Sequence, residues 1–164
     1  MNKKRILWLA ALTKVPFLIY LVMTITVVPA ISDVNYKSIA GAHRGDSVKY
    51  NENTLPAIAS AVEDEQYKFI EFDIMYTRDK EIVVHHDASH LRMQQKTYDI
   101  RNLTYEELRE VSNYSIPLYR EVMDIISDKK KMNIEIKSSG DFVLDGGLVD
   151  YVVADLGERG VLKN

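Results

Sequence analysis

Charged and titratable side chains recur in this chain at strand positions where an ordinary core would be apolar. Phe69-Ile70-Glu71-Phe72-Asp73-Ile74-Met75-Tyr76-Thr77 reads as a β-strand, rich in aromatic and branched residues and closed by the polar run Arg78–Glu81. Residues two apart on a strand share a face, so Glu71 and Asp73 stand side by side while Ile70, Phe72 and Ile74 face the other way. Met132–Lys137 repeats the pattern, with Glu135 and Lys137 on one face and Ile134 and Ile136 on the other. If these strands are parallel neighbours, Glu71, Asp73 and Glu135 converge as three oxygen ligands, a set suited to Mg²⁺ or Ca²⁺. Lys137 then stands beside them, and Arg44 can grip a phosphate through two parallel hydrogen bonds. His43 and His86 titrate near neutrality, so one can remove a proton while the other donates one to a leaving alkoxide. Metal, anion grip and acid–base pair together describe phosphodiester cleavage.

Each residue also has a plainer use. The Glu71–Asp73 pair can be the wet face of a half-exposed strand. Arg44 can hold a carboxylate instead of a phosphate, and Lys137 can simply neutralise Glu135. His85 and His90 are taken as surface or core residues. The chemical reading rests on three separate strands placing charged groups at matching positions.

The elements that must position these groups follow from local pattern. Ser38–Gly45 reads as a small-residue strand ending in a turn, with His43 and Arg44 at its C-terminal end. Asn53 or Thr54 then caps a helix whose first turn holds Pro56 and whose apolar face carries Leu55, Ile58, Ala59 and Val62. Strand, helix and strand in that order predict a parallel βαβ unit, with ligands at the strands' C-terminal ends. Ile82–Asp87 is a short strand forming a hairpin with the one before it, followed by a polar loop through Asn102. Thr104–Leu108 has capping-box form and predicts a short helix. A second helix is expected over about Leu118 to Ser127, and a last one over Leu148 to Leu156, stopped by Gly157 and Gly160.

At 164 residues the chain has room for one domain with a core. Residues 1–32 carry Lys3, Lys4, Arg5 and Lys14 with no acid, which leaves 17 basic against 24 acidic residues in the remainder. A body that acidic argues against nucleic acid as a partner. Cysteine is absent, which excludes disulfides and thiolate chemistry. From Ile6 to Ile31 the chain is apolar apart from Thr13, Lys14, Thr24 and Thr26, with prolines at 16 and 29. Its length favours a single-pass membrane anchor, a transmembrane helix, over a cleaved signal peptide. The alternative is secretion after cleavage near Val28-Pro29-Ala30. Basic residues stay cytoplasmic, so the acidic body is expected outside the cytoplasm.

Ala42-His43-Arg44-Gly45, Glu52-Asn53-Thr54, Glu71-Phe72-Asp73, Val83-Val84-His85-His86-Asp87 and Asn133–Lys137, in this order and spacing, resemble the glycerophosphodiester phosphodiesterase family. Leu103–Leu108 and Ile116-Pro117 are similar to that family's connecting segments, so the resemblance runs from about Ile39 to the C-terminus. It implies an α/β fold, a (β/α)₈ TIM barrel of the phospholipase C-like phosphodiesterase type. It also implies cleavage of glycerophosphodiesters to glycerol phosphate and an alcohol with Mg²⁺ or Ca²⁺. Carried over by position, His43 and His86 are the acid–base pair and Glu71, Asp73 and Glu135 the metal ligands, while Arg44 and Lys137 contact phosphate and Glu52 shapes the site. Three barrel strands are visible where such a barrel has eight. The expected organisation is therefore a membrane segment at 1–32 and a partial phosphodiesterase domain at 33–164, completed by a missing C-terminal half or a partner chain. The rivals are a non-catalytic phosphate- or metal-binding remnant and a phospholipase D-like enzyme on a related barrel.

Overall fold

A central ten-residue strand organises the computed structural model, which describes residues 39–162. In order the elements are β1 (Ala40–His43), α1 (Leu55–Glu63), β2 (Tyr67–Tyr76), β3 (Ile82–Val84), α2 (Leu91–Gln94), a 3₁₀ turn (Ile100–Asn102), α3 (Tyr105–Val111), α4 (Tyr119–Ile126), β4 (Lys131–Ile136) and α5 (Phe142–Glu158). β1 and β4 run parallel to β2, and β3 pairs antiparallel to its C-terminal end as the second arm of the expected hairpin. β4 takes one edge of β2, while β1 and then β3 share the other. The registers place His43 opposite Glu71 and Asp73 opposite Glu135.

The two faces of the sheet separate apolar from charged side chains, as the period-two pattern requires. Ile70, Phe72 and Ile74 are fully buried against Ile58, Ala61 and Val62 of α1, Val122, Met123 and Ile126 of α4, and Leu148 and Val152 of α5. A second cluster under the hairpin joins Met75 and Val83 to Ile100, Leu108, Ile116 and Leu118. Thr54 caps α1, and Thr104 with Glu107 forms the capping box of α3.

Three expectations need correction. The polar segment after β3 is not all loop, since it holds α2 and the 3₁₀ turn. α5 begins at Phe142, six residues earlier than the glycines Gly146 and Gly147 suggest, because Asp141 Oδ1 accepts from the amides of Val143 and Leu144 and Asp145 is held by Ser138 and Ser139. The single-pass membrane placement, with the acidic body outside the cytoplasm, is not upheld. Among the described residues no helix is long and apolar enough to cross a membrane, and α5 has 17 residues interrupted by Asp145, Asp150, Asp155 and Glu158. Residues 1–32, which carried that expectation, lie outside the described residues.

The turn after β1 depends on Gly45. Its φ is +75°, and an added Cβ would lie 2.7 Å from the Ala57 backbone carbon. Gly45→Ala should therefore lower stability by at least about 2 kcal/mol, adding a steric clash to the left-handed backbone cost. Urea unfolding of the two proteins measures this, and an unchanged midpoint would contradict the packing described.

Candidate active site

The carboxylates on the open face of β2 are held there by the loop that follows β1. Arg44 takes a left-handed backbone (φ +60°), which lets its amide donate to Glu71 Oε2 at 2.9 Å while its carbonyl accepts from Asn53 N at 2.9 Å. Asn53 is also left-handed (φ +56°), and its Nδ2 donates to Asp73 Oδ2 at 2.8 Å. Such backbone is sparsely populated for residues with a Cβ, so two instances in one loop mark a site whose geometry is enforced by its surroundings. Buried Asp46 anchors the loop to α1, with Ser60 Oγ at 2.7 Å and Lys49 Nζ at 2.8 Å.

Glu71, Asp73 and Glu135 each offer an oxygen within 4.8 Å of the others. Asp73 is completely buried, Glu71 nearly so, and Glu135 lies at the exposed end of the trio. Two unit charges at that separation repel by ~3 kcal/mol at an effective dielectric of about 20. Lys137 offsets part of this, with Nζ 2.8 Å from Asp73 Oδ1 and in contact with Glu135 Oε1. Burial alone would lower the Lys137 ammonium, but its bonds to Asp73 and Glu135 outweigh that and raise it. Arg44 offsets more, with Nε 3.4 Å from Asp73 Oδ2 and Nη1 2.9 Å from Glu52 Oε1. Burial pushes the Glu71 carboxyl above the usual carboxylate range, and its Oε1 has no hydrogen-bond partner among the described residues. Among the described residues, an all-oxygen trio whose buried Glu71 Oε1 has no partner and whose Asp73 Oδ1 meets only the Lys137 ammonium fits a hard divalent cation.

The two histidines stand in different settings. His43, at the end of β1, is largely exposed, with Nε2 3.7 Å from Glu71 Oε2. His86 follows β3, and its Nδ1 lies 2.6 Å from Asp87 Oδ1. Burial pushes the Asp87 carboxyl up, but hydrogen bonds from His86 and Arg92 outweigh it and leave it below the ordinary range. Glu52 is also lowered, chiefly by Arg92 and then by Arg44. A groove of about 620 Å³ opens beside this site, with His86, Asp87 and Arg92 on one side and Lys137 and Ser138 on another.

The expected site residues thus fall into two connected groups. Glu71, Asp73, Glu135, Lys137, Arg44 and His43 meet on the open face of the sheet, and His86 and Lys137 border one groove. Arg44 does hold carboxylates, as its plainer reading allowed, and Glu52 is the one it shares with Arg92. Asn53, Asp87 and Arg92 were given no role in the site from sequence. Asn53 stood there as a helix-cap candidate and within the Glu52-Asn53-Thr54 motif, whereas Asp87 directly follows His86 and offered a signal.

Comparison with known proteins agrees with this geometry. Residues 43–142 match the model of the glycerophosphoryl diester phosphodiesterase family, a span that includes every site residue expected from sequence. A glycerophosphodiester phosphodiesterase of Caldanaerobacter subterraneus subsp. tengcongensis is 32% identical over 133 residues, covering 74% of this chain and 54% of the relative. The crystal structure of the glycerophosphodiester phosphodiesterase from Thermotoga maritima aligns with a TM-score of 0.64 and 32% identity, over 76% of this chain and 52% of that one. An Oleispira antarctica phosphodiesterase, solved with the product sn-glycerol-3-phosphate, aligns with a TM-score of 0.57 and 26% identity, over 74% and 51% respectively. The fold is of the TIM-barrel type, of which the described residues form a partial, mainly parallel sheet. The chain belongs to the glycerophosphoryl diester phosphodiesterase family. It spans about half the length of these relatives.

His85 and His90 are core residues, packed ring to ring at 5.2 Å beneath the segment that carries His86. Burial, with the nearby His85 and Lys96, lowers His90 from its ordinary 6.5 to about 4. The unfolded chain then binds a proton that the folded one refuses, so the neutral ring's stabilisation is full above about pH 6.5 and falls away toward pH 4. We expect about 2 kcal/mol of stability to be lost between pH 7 and pH 5, and His90→Leu to remove most of that dependence. Denaturant unfolding at both pH values measures it, and equal slopes in the two proteins would refute the assignment.

Proposed function

We propose that the protein hydrolyses glycerophosphodiesters to glycerol phosphate and an alcohol, with Mg²⁺ or Ca²⁺ held by Glu71, Asp73 and Glu135. The observation that carries this reading is the convergence of those three carboxylates with Arg44, Lys137 and His43 on one sheet face. Bound there, a divalent cation supplies positive charge to a phosphoryl oxygen as negative charge develops on it. Arg44 and Lys137 orient the phosphate, exchanging part of their carboxylate contacts for phosphate oxygens. One histidine of the pair His43 and His86 takes a proton from the attacking water. The other gives a proton to the alkoxide as the bond between phosphorus and the alcohol oxygen breaks. With Asp87 accepting at Nδ1, His86 presents Nε2 for that transfer. Glu52 shapes the site through Arg44. The relative solved with sn-glycerol-3-phosphate supports the substrate class.

Release of glycerol phosphate from glycerophosphocholine by the full chain, with and without Mg²⁺ or Ca²⁺, tests the activity. His43→Ala and His86→Ala should each reduce turnover on the order of 10²-fold or more. Turnover indifferent to both changes would overturn the mechanism, and cation or phosphate binding without turnover would favour a binding module.

The cation assignment has its own measurement. Mg²⁺ or Ca²⁺ at about a hundred times its dissociation constant should stabilise the protein by ~2.7 kcal/mol. Glu71→Gln and Glu135→Gln should each diminish that gain in thermal unfolding. A gain equal in both variants would place the ion elsewhere.

A further inference from the structure

Arg92 of α2 lies outside the carboxylate trio, yet it connects the two halves of the site. Its Nε donates to Asp87 Oδ2 at 2.6 Å, and Asp87 Oδ1 is the oxygen against His86 Nδ1. Its Nη1 donates to Glu52 Oε2 at 2.9 Å and its Nη2 to Glu52 Oε1, the oxygen that also accepts from Arg44 Nη1. A continuous path of charged hydrogen bonds therefore runs from His86 through Asp87, Arg92 and Glu52 to Arg44, joining segments 40 residues apart in sequence. The fork is bidentate on Glu52 and single on Asp87, a geometry that a planar guanidinium reaches and an ammonium does not. Exposed ion pairs taken singly are weak, and the Arg92 side chain is about half exposed. Its partners are much less so, and three charge-assisted bonds from one group fix orientation even where each adds little stability.

We infer that Arg92 is a positioning residue: through Asp87 it fixes the tautomer and orientation of His86, and through Glu52 it fixes the guanidinium of Arg44. This rests on the roles proposed above for His86 and Arg44. Without Arg92, Asp87 is free to turn toward solvent, His86 loses the acceptor that selects its Nδ1–H form, and Glu52 no longer aligns Arg44. A residue that merely tied two loops together would alter stability and leave the imidazole unchanged.

The test is the imidazole itself. Long-range ¹H–¹⁵N spectra of the labelled full chain at pH 8 should show His86 mainly as the Nδ1–H tautomer, with Asp87→Ala as the control that abolishes it. Arg92→Ala and Arg92→Lys should both shift His86 toward the Nε2–H form while the signals of buried His85 and His90 stay in place, showing that the fold is retained. Binding of sn-glycerol-3-phosphate with Mg²⁺ should weaken on the order of tenfold in both variants. An unchanged His86 tautomer in Arg92→Lys, or full restoration of binding by lysine, would overturn the inference. The tautomer needs no turnover, so its result stands apart from failure of the proposed hydrolysis.

Discussion

A fully buried carboxylate at the centre of the sheet dictates much of what surrounds it. Asp73 is removed from water on β2, and an uncompensated charge there would be costly, with removal of one partner from a buried pair typically losing about 3–5 kcal/mol. Its two oxygens are met from different directions, Oδ2 by Asn53 and Arg44 from the loop after β1 and Oδ1 by Lys137 from the end of β4. The parallel registers on both edges of β2 are what bring those segments within reach. Each partner also belongs to the candidate site, so the compensation of Asp73 and the arrangement of the chemistry are the same set of contacts.

That economy has a conformational cost. Arg44 and Asn53 both hold left-handed backbone, on the order of 1–3 kcal/mol each for residues of this kind. Their hydrogen bonds to Glu71 and Asp73 offset it, and the Gly45 turn and the Asp46 anchor to α1 keep the loop from relaxing. The apolar face of β2, filled by Phe72 and its neighbours, provides the rigid support against which that strain is held.

Much of this was legible in the sequence because strands have a period of two. Glu-x-Asp in an otherwise apolar strand, and Glu-x-Lys in a second, read directly as charges sharing a face, and the structure brings those four side chains together. Less legible were groups whose role depends on tertiary approach. Arg92 carries little local signal, since Asp87 lies five residues before it but Glu52 meets it only after the chain folds back across 40 residues. The start of α5 was obscured because each interior glycine costs a helix about 1 kcal/mol, and the caps at Asp141 and Asp145 that offset Gly146 and Gly147 are contacts of the loop before it. The membrane reading drew on residues 1–32 alone, and no described helix repeats that apolar length.

The charge balance of the face bears on how the proposed reaction would turn over. With these groups ionised, the five carboxylates Glu52, Glu71, Asp73, Asp87 and Glu135 against Arg44, Arg92 and Lys137 leave two negative charges. A divalent cation would neutralise these groups, and a singly charged phosphodiester would then leave one negative charge. Glycerol phosphate carries nearly one further negative charge near pH 7, so the same groups would hold the product against a net negative field. Under the proposed hydrolysis that balance would favour diester over monoester, the direction that lets product leave.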